Sequence, residues 1–78
     1  MTIQNINGTG ERLPTGYSSW ISFWEDKTGE KAGSGKIGGH VKKTNSTDNA
    51  WYIAAITSTQ NASTTPYEYS GKLAKLRD

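Results

Sequence analysis

The one long, nearly uninterrupted apolar run in the chain is Ala50-Trp51-Tyr52-Ile53-Ala54-Ala55-Ile56, continued by Thr57-Ser58. Its β-branched and aromatic residues suit a pleated, buried surface, and clusters of Asn, Asp, Ser and Thr bound it at strand length. No capped period of 3.6 runs through it, so it predicts the central strand of a sheet. A second stretch, Tyr17-Ser18-Ser19-Trp20-Ile21-Ser22-Phe23-Trp24, predicts another strand, with Tyr17, Ser19, Ile21 and Phe23 on one face and Trp20 and Trp24 on the other. Aromatics on both faces imply that both are covered, or that one is an aromatic surface.

Glu25 to Lys31 reads as a charged hairpin turn, with Gly29 available for a positive backbone angle. From Gly33 to Lys43 the pattern alternates again. Ile37, Gly39 and Val41 fall on one face and Lys36, Gly38, His40 and Lys42 on the other, which predicts a half-buried strand with a basic outer face. Its glycines imply sharp curvature or close approach by another backbone. Residues 44–49 read as a polar turn, and residues 59–66 as a polar loop closed by Pro66. Tyr67, Tyr69, Gly71 and Leu73 then alternate with polar neighbours, predicting a last strand that ends near Leu76. At the other end, Thr2 to Ile6 predicts a weak edge strand or arm, and residues 7–16 a long Gly- and Pro-containing loop.

These elements predict one mainly β domain over residues 1–78, with an N-terminal arm and loop (1–16) and a small antiparallel meander (17–76) of four to five strands. A flat sheet of that size leaves its edges open, so a strongly curved sheet or a partly open barrel is expected.

Seventy-eight residues support only a small core. Aliphatic residues are sparse, and three Trp and four Tyr replace them, so the core is expected to be weighted toward aromatics. The chain has no cysteine, which excludes disulfides and thiolate zinc sites. It shows neither a signal-peptide pattern nor an apolar stretch of membrane length, so a cytoplasmic protein is expected, in the host cell if the chain is phage-encoded.

Candidate chemistry narrows quickly. One histidine and scattered carboxylates match no metal-ligand spacing, and no cofactor motif is present. Gly33-Ser34-Gly35-Lys36 does not complete a phosphate-binding loop, which needs glycine where Glu30 stands and Ser or Thr where Ile37 stands. His40, among glycines and lysines, has no implied serine or carboxylate partner, so no enzyme activity is expected. Binding remains. Trp20, Trp24 and Tyr52 would form an aromatic platform beside Lys36, His40, Lys42 and Lys43, the combination that holds single-stranded nucleic acid by stacking bases and neutralising phosphates. The same residues have an ordinary use, as core aromatics and edge-protecting lysines. A net charge of +2 is small for a phosphate binder, although residues 31–43 hold four lysines and no acid.

Size and composition associate the chain with accessory proteins of phages and mobile elements. The first expectation is a non-catalytic protein that docks on a host protein or nucleoprotein complex, as an anti-CRISPR-type inhibitor or adaptor, using an exposed Trp or Tyr as anchor. The alternative is a single-stranded nucleic-acid-binding protein with an OB-like sheet. The third is an oligomeric structural subunit, for instance a homodimer that exchanges an edge strand.

Overall fold

The computed structural model describes residues 1–6, 12–44 and 47–77. Among them, five antiparallel strands form one sheet: β1 (Thr2–Asn5), β2 (Ile37–Lys43), β3 (Trp51–Ile56), β4 (Tyr67–Glu68) and β5 (Leu73–Arg77). Two short helices, α1 (Trp20–Thr28) and α2 (Ser58–Asn61), complete the fold. The strand order is β4-β1-β2-β3-β5. The mainly β architecture and the β1-β2-β3 meander follow the hydrophobic pattern, but two positions in the sheet do not. Residues 2–6 supply an interior strand, because β1 pairs with both β2 and β4 and Ile3 is fully buried. The strand expected at the centre, β3, lies between β2 and β5, and β2 is the middle strand.

The larger correction concerns residues 17–24, which do not form a strand. Trp20 opens helix α1, and its N-cap is Ser19, whose hydroxyl accepts from the Ser22 amide while the Ser22 hydroxyl accepts from the Ser19 amide. This reciprocal pair satisfies two amides that a helix start leaves without intrahelical partners. Trp20, Phe23 and Trp24 then recur at helical spacing and share one face. Glu25 to Thr28 continue the helix instead of turning a hairpin. Gly29 adopts the positive angle (φ +73°) as its C-cap, donating its amide to the Glu25 carbonyl.

The tail also differs from the single strand expected over 67–76, since β4 and β5 occupy opposite edges of the sheet. In a flat sheet those edges would stand about 19 Å apart, four interstrand spacings. The chain from Glu68 to Leu73 spans at most about 18 Å fully extended. The sheet therefore has to curl, bringing its two edges toward each other without pairing them. This is the strongly curved sheet, not a closed barrel. Tyr69 anchors the link, its hydroxyl donating to the Lys72 carbonyl and accepting from the Ala55 amide.

Curling leaves two faces to fill. On one, Ile3, Val41, Tyr52, Ala54, Ile56 and Tyr69 form a buried cluster. The connection from β3 to β4 closes over it, where the polar loop was expected, beginning as α2 with Thr57 and Gln60 as capping box. Asn5 holds that connection: its Nδ2 donates to the carbonyls of Gln60, Asn61 and Ser63, and its Oδ1 accepts from the Tyr67 hydroxyl. On the other face α1 packs Phe23 and Trp24 against Ile53, Ala55 and Ala74. Gly38 makes this approach possible, since a Cβ there would lie 2.5 Å from the Trp20 carbonyl carbon. The expected wet, basic outer face of β2 is thus covered by a helix at Gly38 and His40, and of that row Lys36 and Lys42, one at each end, are exposed beyond it.

Of the long loop expected over 7–16, residues 7–11 lie outside the described residues, as do residues 45–46 of the polar turn. The described part of the first ends in a turn with the Tyr17 amide on the Pro14 carbonyl and Gly16 at φ +100°.

Candidate functional site

The alternation that sends Ile53 and His40 toward α1 sends Trp51, Lys42 and Gln4 to the same face, farther along the strands. The helix stops short of them, and there a groove of about 370 Å³ opens. Trp51, Lys42, Lys43 and Gln4 line it, with Thr44, Asp48 and Asn49 from the following turn. Gln4 and Lys42 are register partners across β1 and β2. Trp51 sits at a break in the β3–β5 register: it pairs with Arg77 while Tyr52 pairs with Lys75, so β5 carries one extra residue. Such a bulge twists the local ribbon and re-aims neighbouring side chains.

Among the described residues the groove contains one carboxylate, and it is engaged from within. Asp48 Oδ2 accepts from the Tyr52 hydroxyl at 2.5 Å, Oδ1 accepts from the Ala50 amide at 2.7 Å, and Lys43 Nζ stands 3.6 Å from Oδ2. The Tyr52 hydrogen bond, then the Ala50 amide and Lys43, hold the Asp48 carboxyl below the ordinary aspartate range against a smaller opposing effect of desolvation. Lys43 Nζ also lies 4.9 Å over the Tyr52 ring. Lys42 is exposed and makes no ion pair among the described residues. The groove therefore presents a cation, an indole and amide groups, with its negative charge already answered.

The seven residues singled out from sequence are dispersed. Trp24 is 5% exposed, and its Nε1 donates to the Lys72 carbonyl at 2.8 Å. Trp20 is half-buried, edge-on to Phe23 at 5.5 Å and to His40 at 4.6 Å. Tyr52 is buried on the opposite face of the sheet. These three aromatics consequently do not make one platform. Lys42 and Lys43 do reach a common groove, whereas Lys36 lines a different cleft beside Trp24, and His40 lies half-buried under Trp20. The aromatic that accompanies Lys42 is Trp51, which the sequence reading assigned to the central strand without a binding role. Its signal was positional: it opens the run directly after a polar turn, where covering layers end.

Among the described residues no group of three or more His, Cys, Asp or Glu side chains could hold a metal ion, and no helix is long and apolar enough to cross a membrane. No family model, curated protein or solved structure matches the chain.

Proposed function

We propose that the chain is a non-catalytic binding protein that engages single-stranded nucleic acid, free or within a nucleoprotein complex, through the Trp51 groove. The observation that carries this reading is a half-buried indole beside Lys42, which makes no ion pair among the described residues, in a groove whose one lining carboxylate among those residues is held by Tyr52, Ala50 and Lys43. A base stacks on the indole face while Lys42 meets the phosphate, and the amides of Gln4 and Asn49 offer both donors and acceptors to base edges. Stacking of one base is worth about 1–3 kcal/mol, so Trp51→Ala should weaken binding by about 5- to 150-fold. Lys42→Ala should weaken it across sequences and flatten the salt dependence by about one phosphate contact. Anisotropy titration of a labelled mixed-sequence oligonucleotide, at low and at physiological salt, measures both. Binding that ignores salt and both substitutions would refute the proposal.

A second reading, docking on a host protein as an anti-CRISPR-type inhibitor or as a self-associating subunit, is favoured by one observation: β5 is an edge strand of five residues. An open edge accepts a strand from a partner or another copy. Exposed large apolar side chains, the other mark of protein docking, are confined among the described residues to Met1 and Ile37. If the oligonucleotide fails to bind, concentration-dependent mass in sedimentation supports self-association, and a constant monomer mass leaves the host protein.

A further inference from the structure

A second cleft lies at the other end of the curled sheet, at the seam where the link from β4 to β5 passes α1, and has a volume of about 290 Å³. Its floor is Trp24, Tyr69 and Ala55, all buried. The polar atoms of that floor are already engaged: Trp24 Nε1 and the Tyr69 hydroxyl both donate to the Lys72 carbonyl, and the Ala55 amide donates to the Tyr69 hydroxyl. What the floor offers a ligand is therefore apolar ring surface. The rim is polar and cationic, with Lys31 and Lys36 exposed and without ion pairs among the described residues, accompanied by Gln60 and Ser70.

The described carboxylates near the cleft, Glu68, Glu30 and Glu25, are engaged elsewhere. Glu68 lines it, but its Oε1 accepts from the Met1 amine at 3.1 Å and its Oε2 from the Thr2 hydroxyl at 2.9 Å. Glu30 stands 3.7 Å from Lys72 Nζ, and Glu25 accepts from the Ala32 amide. Lys31 and Lys36 thus remain, among the described residues, the two charges without carboxylate partners at the mouth of a cleft with an aromatic floor and a polar rim. Apolar and aromatic lining with a few placed polar groups is the usual composition of a small-molecule site.

We infer that this cleft binds a small ligand with a flat apolar body and a terminal oxyanion, an aryl phosphate being the simplest representative. The ring lies on Trp24, Tyr69 and Ala55, and the oxyanion is held between Lys31 and Lys36. This site is separate from the Trp51 groove, and its test does not depend on nucleic-acid binding.

The experiment is a titration of the full chain with phenyl phosphate, following backbone amides by two-dimensional NMR, alongside phenol and inorganic phosphate. Saturable shifts are expected at Ala55, Ser70 and Gly71, with phenyl phosphate binding about tenfold more tightly than either fragment, since each half of the site contributes its own contact. The double variant Lys31→Gln, Lys36→Gln should lose about tenfold in affinity for phenyl phosphate. Both lysines are exposed, so the variant should keep its unfolding midpoint. Shifts confined to the Trp51 groove, equal affinity for inorganic phosphate, or an unchanged affinity in the double variant would each overturn the inference.

Discussion

Gly38 offers a test in which the sign of the effect decides. Its φ is not in the left-handed region, so alanine can adopt the same backbone. Were β2 bare on that face, Gly38→Ala would stabilise the protein by about 0.4–1 kcal/mol, by restricting the unfolded chain. With α1 in place the new Cβ would lie 2.5 Å from the Trp20 carbonyl carbon and 2.7 Å from both the Ile21 nitrogen and Trp20 Cβ. Two of these three atoms are backbone, so relief requires the whole helix to lift. Overpacking of this kind costs about 1–3 kcal/mol, which outweighs the unfolded-state gain. A domain of this size loses about 4–8 °C in Tm per kcal/mol, so the net cost, up to about 2.6 kcal/mol, should lower Tm by up to about 20 °C. Gly39→Ala is the internal comparison, because its Cβ would meet the terminal Cδ1 of Ile56 at 2.5 Å, an atom that can move by side-chain rotation. It should cost less than Gly38→Ala. Urea unfolding followed by tryptophan emission and far-ultraviolet circular dichroism gives both midpoints. A Gly38→Ala protein as stable as the parent, or more so, would refute the seating of α1 on β2.

Other consequences follow from the same contacts. Asn5→Ala removes three donor contacts and one acceptor that hold the β3–β4 connection, and should cost about 2–3 kcal/mol in urea unfolding, with faster amide exchange confined first to residues 57–67. A cost below about 0.5 kcal/mol would show that the connection is held by other means. Asp48 has a folded pKa below the unfolded value of about 3.8, so the unfolded chain binds more protons in acid. Its contribution is complete above that value and is lost as pH falls through the lowered folded pKa. The difference in urea midpoint between the parent and Asp48→Asn should therefore shrink below about pH 4, and a difference constant down to pH 2 would contradict the assigned hydrogen bonds.

How much of this was legible in the sequence depended on whether the local pattern was sufficient by itself. β2 and β3 were legible, because alternation and a bounded apolar run do not require a partner to be recognised. Residues 17–24 were misread because Ser-Ser-Trp-Ile-Ser-Phe-Trp alternates well enough for a strand while also carrying aromatics at i, i+3 and i+4. Two details favoured the helix: the Ser19 and Ser22 pair at capping spacing, and Gly29 at the C-terminal end. The split of residues 67–76 between opposite edges had no local signal. It depends on Tyr69 turning inward and occupying the space that a Cβ at Gly71 would need, 2.7 Å from the Tyr69 hydroxyl oxygen. Lys42 and Lys43 were recognised as binding candidates from charge, but which aromatic stood near them was a matter of register, and register is not written in composition.

The misassigned aromatics point to a general constraint on this chain. The few aliphatic residues are the most deeply buried, Ile3, Val41 and Ile56 on one face and Ile53 on the other, and rings complete each face: Phe23 and Trp24 under α1, and Tyr52 and Tyr69 on the opposite side. An aromatic in the middle of an element is therefore committed to the core, however suitable its neighbours look for a ligand. One at the end of a strand is different, because the covering layers are short: α1 has nine residues and α2 four. Trp51 is the first residue of β3 and lies beyond α1, so its ring can stay partly open to solvent without exposing the core beneath. Trp24 shows the converse. Its ring is enclosed, yet it forms the floor of the seam cleft because the four-residue link cannot cover the whole of α1. Both candidate sites thus arise where a small domain runs out of covering chain, and each rim carries cations, Lys42 at one and Lys31 and Lys36 at the other, that make no ion pair among the described residues.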